Sequence, residues 1–424
     1  MIKYIKLDRK ILVGAGAIML AALLWSLDGV FIRPKFYILP AGLIVFLEHF
    51  FGLIILSPFI ILGWKKIKML RAKDWGAIFW VSVFGGLLGT LMITKAFFAA
   101  IDGEITFATV VILQKLQPIF ALILARIILG EKLKKSFYFW ALIAIVAAYF
   151  LAFGKTGLNF KDINIINQAA FFAIIAAFAF GSSTVFGKRI VNHLDFKTTT
   201  ALRFGFTSLL ALILILFTND IFKISQLSPL HWKYLVLIVF SSGAAAMFIY
   251  YFGLKRITAS LATISELFWP FSAVVLDYFI NRNVLNKTEL IASFILIIAF
   301  FGVIREGKAK KITFNSNVIK GQGRGERIGF PTINLNKVDL DIDYGVYLVK
   351  AKIDNKKYNG LLHFGFKETF SEAPSLELFI KEKIFDISQK NVIISVVKKI
   401  RDTKKFANLN ELRKQINKDL KNLQ

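Results

Sequence analysis

Cysteine is missing from all 424 residues. Its absence excludes disulfides, zinc-thiolate centres and thiol catalysis, and it leaves the redox compartment open. Histidine is nearly as scarce, with His49, His193, His231 and His363 the four in the chain. Acidic side chains number 27 against 54 basic ones, a formal net charge of +27. Such an excess suits nucleic acid only where it is clustered for it. Here it is spread over loops and a solvated surface, so nucleic acid is not an expected partner.

What is abundant is apolar: 56% of the residues are hydrophobic, 44 of them Phe, and the mean hydropathy is +0.62. No ordinary soluble domain needs this, so most of the chain belongs in lipid. Apolar runs of about 18 residues or more recur up to residue 304, each long enough to cross a bilayer as a helix. Ten helices are predicted, at 11–31, 40–63, 76–100, 106–129, 137–153, 167–187, 198–217, 233–254, 258–280 and 289–304. The first follows Lys3, Lys6, Arg9 and Lys10 as a signal sequence would. It is long, lacks a small-residue cleavage site and is followed by further spans, so it reads as a retained helix. Beyond it, basic residues gather between spans two and three (Lys65 to Lys73), four and five (Lys132, Lys134, Lys135), six and seven (Lys188, Arg189, Lys197) and eight and nine (Lys255, Arg256), and after ten. The alternate loops are poorer in them. Both termini, including residues 1–10, are therefore expected in the cytoplasm, with the protein in the inner (plasma) membrane.

"ITFATVVILQKLQPIFALILARIILGEKL" (Ile105 to Leu133) aligns without gaps on "ITASLATISELFWPFSAVVLDYFINRNVL" (Ile257 to Leu285), matching Pro118 to Pro270. Two five-helix halves follow, 11–154 and 155–304. An odd number of spans per half inverts one against the other, the plan of secondary transporters with substrate near the midplane. Ionisable residues inside spans are costly there, which singles out Asp28, Glu48, Lys95, Lys115, Arg203, Glu266 and Asp277. Gln114 and Glu266 occupy equivalent repeat positions one turn before the prolines. Gln114, Lys115 and Glu266 form the expected central transport site, with Asp28 a further candidate and Trp25, Tyr250, Tyr251, Phe268 and Trp269 as flat walls. "LQPIFALILARIILGEKL" resembles the EamA-type repeat of the drug/metabolite transporter superfamily, which implies transport of a small metabolite without naming it. In the second half Asn283 stands where the counterpart of Glu131 would be.

After a basic linker, 305–311, residues 312–424 read as a separate soluble domain. "GVYLVKAKI" (345–353), "LELFI" (376–380) and "VIISVVKKI" (392–400) alternate at period two as strands. A last helix carries Leu409, Leu412, Ile416 and Leu420 on one face, with Asn408 and Glu411 as a capping box. Short strands plus one closing helix predict a small barrel. The Gly-x-Gly-x-Gly loop at Gly321, Gly323 and Gly325 would let backbone N–H groups approach phosphate, though neither a Walker loop nor a dinucleotide fingerprint surrounds it.

"GRGERIGFPTINL", then "YGVYLVKAKI", "YNGLLHFGFKETF", "SLELFI" and "KKIRDTKKFANLNELRKQINKD", in that order, resemble riboflavin kinase. The resemblance implies a six-stranded barrel with a closing helix that transfers phosphate from ATP to riboflavin, giving FMN. It further implies nucleotide binding by Gly321, Gly323, Arg324, Gly325, Thr332 and Asn334. Mg²⁺ would be held by Thr332 and Asn334, Glu377 would be the catalytic base, and Arg401 and Phe406 would lie beside the flavin. The nucleotidyltransferase module with its His-x-Gly-His is absent, so FAD synthesis is not expected. Lys367-Glu368-Thr369-Phe370 stands where the family has Arg-Pro-Thr-Phe, which motivates an alternative: a non-catalytic flavin- or nucleotide-binding domain that regulates the transporter. The fusion suggests riboflavin uptake followed by trapping as FMN. Its expected partners are riboflavin, FMN, ATP and the lipid bilayer, with a homodimer as a further option.

Overall fold

The computed structural model describes residues 9–103, 107–153, 168–281, 287–306, 313–319, 324–327, 329–336, 340, 342, 344–354, 356–367, 372–382, 391–404 and 406–423. The chain divides into two compact units, Met1–Ala309 and Lys310–Gln424.

The first unit is helical in its described residues. Its helices are α1 (Arg9–Leu27), α2 (Ala41–Ile67), α3 (Ala72–Trp80), α4 (Gly89–Ile101), α5 (Phe107–Gln114), α6 (Gln117–Ile128) and α7 (Lys135–Phe153) in the first half. In the second half come α8 (Gln168–His193), α9 (Phe196–Phe217), α10 (Pro229–Phe240), α11 (Ala244–Leu254), α12 (Ala259–Ser265), α13 (Phe268–Asn281) and α14 (Lys287–Glu306). Helix occupies every one of the ten stretches expected from hydropathy. Among the described residues, six segments are long and apolar enough to cross a membrane by length and composition.

The fourth and ninth stretches are instead broken, between α5 and α6 and between α12 and α13, at equivalent points of the repeat. Pro118 and Pro270 lack the N–H that would bond the carbonyl four residues back, at Gln114 and Glu266, and the helix opens there. The eighth stretch, one of those six segments, is interrupted by a turn at Ser241–Gly243, and no proline announces it. Two π-helical segments widen the first and third stretches, at Asp28–Ile32 and Val81–Leu88. Such insertions leave backbone slack that functional sites often use. The outer pairs α2 with α9 and α7 with α14 pack extensively, one member from each half, as an inverted repeat requires.

The second unit is a closed barrel in the order β1-β2-β5-β4-β3-β6, every pairing antiparallel. Its elements are β1 (Thr313–Ile319), α15 (Arg324–Arg327), β2 (Thr332–Leu335), β3 (Gly345–Ile353), β4 (Lys356–Lys367), β5 (Glu372–Ile380), β6 (Asn391–Arg401) and α16 (Leu409–Leu420). Alternation of buried and open positions fills the interior with Val349, Ala351, Ile353, Leu362, Phe364, Leu378, Val392 and Ile394. The capping box of α16 is formed with one change. Asn408 Oδ1 accepts from Glu411 N at 3.0 Å, but the glutamate reaches back to Ala407 N rather than to Asn408 N. Leu409 is exposed, so the helix packs through Leu412, Ile416 and Leu420.

Candidate functional site

The π-helical turn at Asp28–Ile32 brings Arg33 back over Asp28, with Arg33 N bonded to Asp28 O. Arg33 Nε then lies 3.0 Å from Asp28 Oδ2, and Nη2 lies 3.0 Å from Glu48 Oε2 of α2. All three side chains are buried, and they face one cavity that also receives Lys115, Arg203 and Glu266. Three carboxylates and three cations thus line it, a balanced set. Charges in such surroundings persist only when paired or facing a polar guest.

Beside this polar end stand aromatic walls. Trp25 lies 5.4 Å from Tyr250, ring centre to ring centre, and its Nε1 donates to Ser242 O where the eighth stretch breaks. Lys115 Nζ rests 4.7 Å above the Trp269 ring, a cation–π contact. Gly29 makes room for that indole: a Cβ added there would sit 3.1 Å from Trp269 Cζ2.

A chain of hydrogen bonds leads from one broken helix to the other across the repeat interface. Gln114 Nε2 donates to Gln117 Oε1 at 2.9 Å, and Gln117 Nε2 donates to Glu266 Oε2 at 2.5 Å. Tyr250 Oη donates to Glu266 Oε1 at 2.8 Å, with the Thr184 hydroxyl 2.7 Å behind it. The structure therefore brings Asp28, Gln114, Lys115, Glu266 and Trp269 to one cavity, along with Trp25, Tyr250, Glu48 and Arg203. It does not bring Tyr251, buried against Gly187, nor Phe268, packed on Phe271 and Phe300. Lys95 is exposed over the Phe172 ring, and the Asp277 side chain lies outside the described residues. Arg33, His49, Gln117 and Thr184 line the cavity unannounced. Arg33 had one signal, an acid five residues before it.

In the barrel, register sets the second site. Glu377 on β5 is the direct partner of Asn334 on β2 and of His363 on β4. Thr332 lies two residues before Asn334, so both share the sheet face that carries Glu377. Gly325 backs onto this row. A Cβ there would fall 2.5 Å from Phe330 O and 2.9 Å from Thr332 Oγ1. Gly329, at φ +84°, turns the chain after α15 so that Phe330 N returns to Gly325 O at 2.8 Å. Arg324 belongs to that helical turn, whereas Gly321 and Gly323 lie outside the described residues. Arg401 Nε donates to Asp419 Oδ2 of α16 at 2.8 Å, and its guanidinium lies 5.7 Å from the Phe406 ring centre. Asp419 is a partner that the sequence pattern did not reveal. Thr332 and Asn334 offer neutral oxygens beside a carboxylate, a donor set that fits a hard divalent cation such as Mg²⁺.

Each of the two units matches a known family. Residues 12–153 and 167–305 match the EamA-like transporter family, and residues 308–424 match the riboflavin kinase family. The membrane unit is similar to the riboflavin transporter ImpX of Fusobacterium nucleatum, 39% identical over 293 residues that span 68% of this chain and 97% of that protein. The barrel is similar to the bifunctional riboflavin kinase/FMN adenylyltransferase of Bacillus subtilis, 40% identical over 108 residues, 24% of this chain. This chain spans 34% of that enzyme's length. It is also similar to the RNA-binding riboflavin kinase RibR of the same organism, 33% identical over 105 residues, 24% of this chain and 46% of that protein.

Proposed function

Because the chain belongs to the EamA-like transporter family and ends in a domain of the riboflavin kinase family, we propose that it takes up riboflavin and converts it to FMN with ATP. The observation that carries the reading is covalent: one chain joins a module similar to a riboflavin transporter to a module similar to riboflavin kinases. Riboflavin is a neutral, flat ring system bearing a polyol. A charge-balanced cavity with Trp25, Tyr250 and Trp269 on its walls suits such a guest better than it suits the anionic product.

In the barrel, Gly321, Gly323, Arg324 and Gly325 would cradle the ATP phosphates, and the absence of a side chain at Gly325 lets α15 lie close against Thr332. Thr332 and Asn334 would hold Mg²⁺, which when bound offsets phosphate charge. Glu377 accepts the proton of the terminal ribityl hydroxyl as its oxygen bonds to the γ-phosphorus and the bond to ADP breaks. Asp419 fixes Arg401 beside Phe406 at the flavin. FMN carries charge that lipid does not pass, so phosphorylation retains what the membrane unit admits. The basic loops support an orientation in the plasma membrane with both termini on the cytoplasmic side, where ATP is available.

The test is uptake of labelled riboflavin by cells lacking their own transporter and kinase, with the full chain and with Glu377→Gln. The proposal expects accumulation as FMN in the first and equilibration without accumulation in the second. FMN formed by purified protein without cellular uptake would remove riboflavin as cargo. Flavin binding without turnover would make the barrel a regulatory domain.

A further inference from the structure

One carboxylate of the first half of the membrane unit is held by the second half. Glu131 follows α6, the second piece of the broken fourth stretch. Its Oε1 accepts from Ala259 N at 2.7 Å, and its Oε2 accepts from Ser260 N at 3.0 Å and from Ser260 Oγ at 2.5 Å. The residue is only 8% exposed. Ala259 and Ser260 open α12, and the residue after α12 is Glu266, which faces the cavity. Three charge-assisted hydrogen bonds from the first half therefore hold the short helix that presents Glu266 from the second.

Consecutive spans run in opposite directions, so the ends of the fourth, sixth and eighth stretches and the start of the ninth lie on one face of the membrane. There α6 packs along α12, Lys188 Nζ donates to Leu254 O at 3.1 Å, and Lys255 Nζ donates to Val191 O. The inverted plan provides a mirror junction on the other face, between α5 and α13. Among the described residues these two helices do not pack as α6 and α12 do. The sequence is asymmetric in the same sense, because the repeat position of Glu131 is Asn283 in the second half.

We propose that Glu131 is a latch that closes the membrane unit on the face bearing Lys132 and favours the state open to the opposite face. Cargo leaves toward the Lys132 face only when the contact with Ala259 and Ser260 breaks. Glu131 touches no cargo; it is a positioning residue, acting through the helix that carries Glu266. The inference rests on the transporter reading, but neither on riboflavin as cargo nor on which face is cytoplasmic.

The absence of native cysteine makes the test direct. Thr94 lines the cavity, and its buried hydroxyl has no hydrogen-bond partner among the described residues, so Thr94→Cys is a reporter inside it. Lys132→Cys reports the latch face. Each is made singly in the full chain, reconstituted in vesicles, and labelled with a membrane-impermeant maleimide from either side. We expect Thr94→Cys to react mainly from the face opposite Lys132→Cys. Adding Glu131→Gln should raise its labelling from the Lys132 face about tenfold to a hundredfold, the range set by hydrogen bonds to a charged group, and lower it from the other. Ser260→Ala, which keeps both backbone bonds, should shift labelling in the same direction by about severalfold, and it carries the test if Glu131→Gln does not fold. Unchanged labelling, or a rise from both faces as general loosening would give, overturns the latch. Because labelling needs no flavin, that result would leave riboflavin uptake and kinase activity standing, and their failure would leave the latch standing.

Discussion

Gln117, from the first half, donates its side-chain amide to Glu266 of the second, while Tyr250 donates to the other carboxylate oxygen. In Glu266→Gln, one of these donors faces an N–H instead of an oxygen. An unsatisfied buried donor costs about 1–3 kcal/mol. Riboflavin uptake should fall about tenfold or more, with FMN formation by the solubilised protein unchanged. Both rates come from one preparation, so a transport defect is told apart from misfolding. Wild-type uptake would remove this network from the transport cycle.

Arg33 is bonded to two buried carboxylates at once, Asp28 and Glu48. Arg33→Met leaves both facing each other without their cation. Breaking a buried ion pair from one side costs about 3–5 kcal/mol, so thermal unfolding of the membrane unit should move down sharply. Adding Asp28→Asn and Glu48→Gln to Arg33→Met should restore much of the loss. A single variant as heat-stable as the parent would contradict the pairing.

Gly325 has a carbonyl and a hydroxyl where a side chain would go. Gly325→Ala must push either Phe330 or Thr332 away. The expected result is a raised KM for ATP, about tenfold or more if a charge-assisted contact to phosphate is lost, with riboflavin uptake intact. Steady-state kinetics at varied ATP decides it, since an unchanged KM would separate this loop from the nucleotide.

Glu377 is held in place by backbone pairing on both sides, to Asn334 and His363. Glu377→Gln therefore keeps the barrel. Loss of a general base should lower kcat by about 10²–10⁴-fold with little change in KM. Equal turnover by both proteins would assign the proton to another acceptor.

The sequence displayed those features that rest on local chemistry. Pro118 and Pro270 announce the breaks of the fourth and ninth stretches because a missing N–H acts on its own helix. β3 and β6 were legible from strict alternation, and β5 in part, since it begins at Glu372 rather than 376. What stayed hidden depends on geometry that pattern does not encode. Arg33 falls beyond the expected end of the first helix, and only a π turn returns it to Asp28. Gln117 aligns with Trp269 in the repeat and carries no charge to mark it. β2 has four residues, and β4 is interrupted by Gly360 and Gly365, so neither shows a clear period of two. The Arg401–Asp419 pair joins a strand to a helix after a loop whose path no spacing reveals.

β1 closes the barrel by pairing with β6, Thr313 against Ser395 and Phe314 against Ile394. The first strand of this unit therefore waits for the last before its edge is covered. During synthesis every helix of the membrane unit has left the ribosome before the barrel can close. Kinase activity would then arise only on chains whose membrane segments are already made, and enzyme and transporter would appear in equal number without any separate control of their expression.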